Sequence, residues 1–162
     1  MLTAARLRDL MDYDPETGVM TLKVRRGGCL PGRIVGCRHH SGYTVATIEG
    51  KQYRLHRLAW LYVTGEWPIG DLDHKDRDRS NNKFANLRNA TDSQNGANTG
   101  LLPANTTGLK GVTYVPRRRK FQSQIRENKQ RRWLGYFDTA EQAHEAYSRA
   151  LCAFYGEYAR LA

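Results

Sequence analysis

A chain of 162 residues is long enough for one medium domain or two small ones, each with a modest core. Hydrophobic residues make up 40% of it and charged residues 26%, which excludes a disordered polyelectrolyte and a membrane-embedded chain. Lys and Arg outnumber Asp and Glu by 26 to 16, a formal charge of +10, so the average field attracts polyanions and nucleic acid is the expected partner. Without a long apolar run, a signal-like start or a basic amphipathic helix with a bulky apolar face, nothing directs that charge to a membrane. The expectation is a soluble, cytoplasmic protein. Cys29, Cys37 and Cys152 form no CxxC pair and read as reduced thiols. The set Cys29, Cys37, His39 and His40 fits no common structural zinc spacing, which favours loop thiols and DNA-facing histidines.

In chain order, Thr3 to Met11 reads as a short helix with Leu7, Leu10 and Met11 as its apolar stripe, ended by the turn-forming run Asp14, Pro15, Glu16, Thr17, Gly18. Short strands follow at Val19–Val24, Gly32–Cys37, Tyr43–Ile48 and Gln52–Leu55, the last two joined by a tight turn in which Gly50 supplies the positive φ. His56 to Val63 is helical in pattern and is stopped by Gly65, Trp67 and Pro68. Between Gly96 and Thr107 the chain is small and polar, the best linker candidate. That divides the chain into 1–98, a linker at 99–107, and 108–162.

The stretch LDHKDRDRSNNKFANLRNATDSQNGAN, Leu72 to Asn98, reads as a strand ending at Asp73-His74, a polar loop, a second strand around Leu87–Ala90 and a helix opening near Thr91 or Asp92. Phosphodiester hydrolysis needs a base to activate water and a cation to offset charge on the phosphate and the leaving oxygen. His74 can take the proton near neutral pH, while the carboxylate of Asp73 and the amide oxygen of Asn95 are hard ligands suited to Mg²⁺. An Asp-His pair alone is a weak signal, since a strand end often carries a solvated acid and a surface imidazole. The spaced asparagines strengthen it, although Asn81, Asn82 and Asn86 suit turns and caps better than chemistry. His56, at the start of an apolar helix, reads as a supporting residue.

These residues, His56-Arg57-Leu58-Ala59-Trp60, Asp73-His74 with Asp76, Asn81-Asn82, Asn86-Leu87-Arg88 and Gln94-Asn95 with Asn98, resemble the H-N-H nucleases found among phage and intron-encoded homing endonucleases. The resemblance covers most of the first hundred residues. It implies a ββα-metal core in which His74 is the general base, Asp73 and Asn95 hold Mg²⁺ or Mn²⁺, Asn86 ties the loop between the strands, and Asn82 supports the same loop. Asn95 stands where other branches carry histidine, as in the homing-endonuclease variant.

Between Gly108 and Trp133 nine Lys or Arg face one acid, Glu127. Val112–Val115, Phe121–Arg126 and Arg131–Phe137 read as three antiparallel strands, the last two joined by the polar turn Glu127–Gln130. Thr139 then opens a helix with Gln142 as its capping-box partner, and Ala143, Ala146, Tyr147, Ala150 and Phe154 form the inner face before Gly156. The expected fold class is therefore α+β: a β-rich N-terminal region with a ββα-metal nuclease core, then a three-stranded antiparallel sheet packed on one helix. Lys110-Gly111-Val112, Ile125-Arg126, Arg131, Trp133-Leu134-Gly135, Phe137-Asp138-Thr139 and Glu141 through Tyr147 resemble the plant ethylene-response-factor (APETALA-type) DNA-binding domain. That resemblance implies double-stranded DNA as partner and Arg126, Arg131 and Trp133 as contacting positions, with Arg117 and Arg119 in the first hairpin. Gln124 stands where that family usually has an acid, so base preference does not carry over.

Three functional classes follow. A metal-dependent DNA endonuclease, nicking or homing, is the leading reading. A DNA-binding regulator that keeps a nuclease fold unused is the first rival, and an RNA-binding basic protein the second.

Overall fold

The computed structural model describes residues 1–101, 103–127 and 130–161. Two units divide it, Met1–Ala90 and Thr91–Ala162. In the first, the Thr3 hydroxyl accepts from the Arg6 amide and caps helix α1 (Ala4–Leu10), which buries Ala4 and Leu7. Met11, expected to finish that helix, is extended instead: the buried, exposed, buried alternation of Met11, Asp12 and Tyr13 suits strand β1 (Met11–Tyr13), paired antiparallel with β2 (Met20–Leu22). The strand expected over Gly32–Cys37 shrinks to a bridge between Thr21 and Ile34 and a two-residue β3 (Cys37–Arg38). Gly32 and Gly36, with φ of 84° and 118°, break the extended run.

Strands β3, β4 (Thr44–Ile48) and β5 (Lys51–Arg54) form one antiparallel sheet. The turn between β4 and β5 holds both Glu49 and Gly50 at positive φ, the two-residue hairpin geometry. Helix α2 (Leu55–Thr64) follows directly, burying Leu55, His56, Leu58, Ala59 and Leu61, and ends where the Gly65 amide returns to the Leu61 carbonyl. Leu7, Met11, Met20, Ile48, Leu58 and Leu61 are each at most 1% exposed and form the centre of this unit's core. Such side chains contribute about 1.5–3 kcal/mol apiece when fully buried. Strands β6 (Asp71–His74) and β7 (Leu87–Ala90) then pair as a separate antiparallel hairpin.

The second unit begins with helix α3 (Asp92–Ala97), opened by a Thr91–Gln94 capping box. At the end of the stretch expected as a linker, 99–107, the Asn105 side chain accepts from the Thr107 and Gly108 amides and donates to the Leu109 carbonyl. Strands β8 (Val112–Val115), β9 (Lys120–Glu127) and β10 (Gln130–Phe137) form the expected antiparallel sheet in the order β10-β9-β8. Asn128 and Lys129, in the turn expected over Glu127–Gln130, lie outside the described residues. Helix α4 (Ala140–Tyr155) is capped by Thr139 and Gln142 as expected, but its inner row is Ala143, Tyr147, Leu151 and Tyr155 rather than one ending at Ala150 and Phe154. The i, i+4 row lets two tyrosines and a leucine reach Ile125 and Ala97. The Tyr147 ring lies on Gly111, where a Cβ would come within 2.0 Å of it. No helix among the described residues is long and apolar enough to cross a membrane.

Candidate active site

The β6–β7 hairpin places Asp73 opposite Arg88 and His74 opposite Leu87. Arg88 donates from Nε and Nη2 to Asp73 Oδ2 at 3.0 and 2.8 Å, and both side chains are nearly buried. His74 is 4% exposed, and its ring centre lies 4.9 Å from that of His56 and 6.0 Å from that of Tyr43. Burial pushes its pKa below the ordinary histidine value, against the opposing pull of Asp76, Asp73 and a hydrogen bond with the Asn82 side chain. His56 is driven down to about 3, by burial first and then by the charges of His74, Arg54 and Arg57.

The loop from Lys75 to Asn86 is built around the Asp76 carboxylate, which accepts from Asn81 Nδ2, Asn86 Nδ2 and the Asp78 amide at 2.6, 2.9 and 2.9 Å. Burial raises the Asp76 pKa, but these bonds outweigh it and hold the carboxyl below its ordinary range. Asn86 also accepts from the Asp76 amide and donates to the Asn81 carbonyl, so one side chain spans the loop from end to end. Asn82 donates to the Ser80 carbonyl, 2.8 Å away. The β1–β2 turn supports the loop from outside: Tyr13 donates to the Asn82 carbonyl at 2.7 Å and the Phe84 amide to the Pro15 carbonyl at 3.0 Å. Gly18, at φ 74°, lies so close that a Cβ would sit 2.6 Å from the Lys83 nitrogen.

Of the sequence-predicted residues, Asp73, His74, Asn82, Asn86 and His56 therefore gather in the first unit. Asn95 lies on α3 in the second unit, half-buried, with its amide bonded to the Thr91 carbonyl. Tyr43 and Arg88 also touch this group; the sequence reading gave Tyr43 no part and Arg88 none beyond its place in the Asn86-Leu87-Arg88 motif. Arg88 comes to Asp73 through the pairing of β6 with β7, and Tyr43, just before β4, comes to His56 and His74 through ring contacts. Among the described residues no three His, Cys, Asp or Glu side chains cluster as a metal cage; Cys29 and Cys37 are free thiols, and His39 bonds Ser41. The Asp73 carboxylate is a hard oxygen donor of the kind that suits a divalent cation keeping waters and phosphate in its shell.

In the second unit Arg126 pairs across the strands with Arg131, and Gln124 with Trp133. Cross-strand partners share a face, so these four stand opposite the buried Ile125, which pairs with Arg132. Trp133 is 59% exposed and meets Tyr136 edge to face. Arg117 lies in the 3-10 turn Pro116–Arg118, and Arg119 closes that turn at φ 51°.

A histidine at a hairpin end, beside a carboxylate and behind an amide-laced loop, offers groups that phosphodiester hydrolysis requires. Residues 53–97 match the family model for HNH endonuclease, a segment that runs from Tyr53 in β5 to Ala97 in α3 and contains His56, Asp73, His74, Asn82, Asn86 and Asn95. The match supports a nuclease, and with it DNA as substrate and a divalent metal as the general requirement of that chemistry. No solved structure matches the chain.

Proposed function

We propose that the chain is a metal-dependent DNA endonuclease of the nicking or homing type that phage and introns encode. The observation that carries this is His74, a buried imidazole biased toward its neutral form and placed at a hairpin end next to Asp73, inside the segment matching HNH endonucleases. In this reading His74 accepts the proton of the attacking water, because a neutral imidazole has a lone pair to offer. Asn82 orients the ring, and Asn86 fixes the loop through Asp76. Asp73 and Asn95 would hold Mg²⁺ or Mn²⁺. The cation, when bound, offsets charge on the phosphate and the departing 3′ oxygen. One site per chain cuts one strand, so a monomer nicks. Residues 108–162, within the second unit, hold double-stranded DNA through a sheet of the ethylene-response-factor type, with Arg126, Arg131 and Trp133 on its open face and Arg117 and Arg119 at its first hairpin.

The test is nicking of supercoiled plasmid in Mg²⁺ by wild type, His74→Ala and Asn95→Ala. Loss of at least about a hundredfold in each variant is expected for groups acting at the reacting centre. Undiminished nicking by both would remove the site. A second reading is favoured by the Asp73–Arg88 ion pair, which already neutralises the carboxylate: a DNA-binding regulator on an unused nuclease fold. It predicts tight duplex binding with no nicking in Mg²⁺ or Mn²⁺.

A further inference from the structure

We infer that Arg54 and Arg79, held over the ring of Tyr43, form a grip for a nucleic-acid backbone phosphate next to His74, an inference that rests on the nuclease reading above. Tyr43 precedes β4, and its ring centre lies 5.0 Å from that of His56 and 6.0 Å from that of His74. The guanidinium carbon of Arg54 is 4.5 Å from the Tyr43 ring centre and that of Arg79 is 4.9 Å from it. The two arginines come from separate elements. Arg54 ends β5 and pairs with Val45, whereas Arg79 comes from the loop between β6 and β7 and is held by donation to the Ser41 carbonyl at 2.8 Å.

Two like charges on one ring repel, and stacking on an aromatic face returns only about 0.5–1 kcal/mol for each exposed cation. A purely structural pair is ordinarily neutralised by a carboxylate. Among the described residues neither arginine makes an ion pair. The loop's own acids are engaged elsewhere, Asp76 with Asn81 and Asn86, and Asp78 with Ser80. What remains is a pair of exposed, planar, five-donor cations fixed beside the candidate base, a geometry suited to phosphate oxygens. Tyr43 and Gly42 position them: a Cβ on Gly42 would lie 3.6 Å from the Arg79 chain. Sequence reading passed over both arginines, because neither lies in a basic run.

The experiment titrates the full chain against a labelled duplex oligonucleotide of mixed sequence, without Mg²⁺, over a series of KCl concentrations. It compares wild type with Arg54→Gln, Arg79→Gln and, as a control, the exposed Arg25→Gln. Each of the first two is expected to weaken binding about tenfold and to reduce the slope of log K against log salt by about 0.9, the signature of one lost phosphate contact. Arg25→Gln is expected to leave the slope unchanged. Melting temperatures should stay within a few degrees, since both arginines are exposed. Unchanged slopes in Arg54→Gln and Arg79→Gln, or an equal drop in Arg25→Gln, overturn the grip. Plasmid nicking by wild type reports separately on the nuclease reading. If nicking is present and the slopes do not move, the grip alone fails; if the slopes fall and nicking is absent, the grip stands as a DNA contact and the nuclease reading fails.

Discussion

The imidazoles of His56 and His74 meet edge to face, 4.9 Å between ring centres, with His56 only 2% exposed. Both are pushed toward the neutral form, His56 to about 3. Between that value and the unfolded histidine value near 6.5, the unfolded chain binds a proton that the folded chain refuses. Stability in the first unit is therefore fully present above about pH 6.5 and is lost as pH falls toward 3. For His56 the loss amounts to roughly 1.4 kcal/mol per pH unit within that window. Urea unfolding at pH 7.5, 6 and 5 should show this slope, and His56→Gln should flatten it; a pH-independent wild type would contradict the neutral pair.

Tyr13 is the link between the N-terminal hairpin and the loop that carries Asn82. Its hydroxyl, whose pKa is raised to about 12 mainly by burial, donates to the Asn82 carbonyl at 2.7 Å. Tyr13→Phe removes the donor and leaves a buried acceptor, a cost of about 1–3 kcal/mol. Gly18→Ala should cost more, because its Cβ would meet Lys83 and Asn82 backbone atoms at 2.6 and 2.7 Å from a left-handed conformation. Chemical denaturation measures both. Equal stability of Gly18→Ala and wild type would mean that the turn shifts freely and does not prop the loop.

The strands and helices of the second unit were legible in the sequence because each carries its own local signal: alternation in Val112–Val115, a capping box at Thr139 and Gln142, a glycine stop at Gly156. The Asp73-His74 pair and the spaced asparagines were legible for the same reason. What the sequence hid depends on contacts between distant segments. Arg88 reaches Asp73 by strand pairing, Tyr43 reaches His74 by ring packing, and Tyr13 and Gly18 reach the loop by packing of a turn sixty-odd residues away in sequence. Met11 misled because a buried apolar residue fits either a helix stripe or a strand.

Arg88 neutralises Asp73 where both are nearly buried. Removing one member of such a pair leaves an uncompensated charge and costs about 3–5 kcal/mol, so Arg88→Met should lower the melting temperature clearly. Replacing Asp73 as well, in Asp73→Leu/Arg88→Met, should recover most of that stability while abolishing nicking. The double-mutant comparison separates the structural role of the pair from any role in cutting. A double variant no more stable than Arg88→Met would show that Asp73 is not the group left stranded.

Arg131 and Arg132, adjacent on β10, point to opposite faces of the sheet. Arg131 shares the open face of the sheet with Arg126, Gln124 and Trp133, whereas Arg132 pairs across from the buried Ile125, lies 5.0 Å from the Phe154 ring and reaches Glu127 at 3.4 Å. Under the proposed DNA-binding role, Arg131→Ala should weaken duplex binding by roughly 1–3 kcal/mol if it reads a base edge, or reduce the salt slope by about 1 if it touches phosphate. Arg132→Ala should leave affinity unchanged and cost about 0.5–1 kcal/mol of stability, because its contacts are with the ring and the acid of its own unit. Binding isotherms and melting curves on the two variants decide the matter. Affinity lost in Arg132→Ala and kept in Arg131→Ala would place the DNA on the other face of the sheet, which α4 already covers, and the proposed mode of binding would fall.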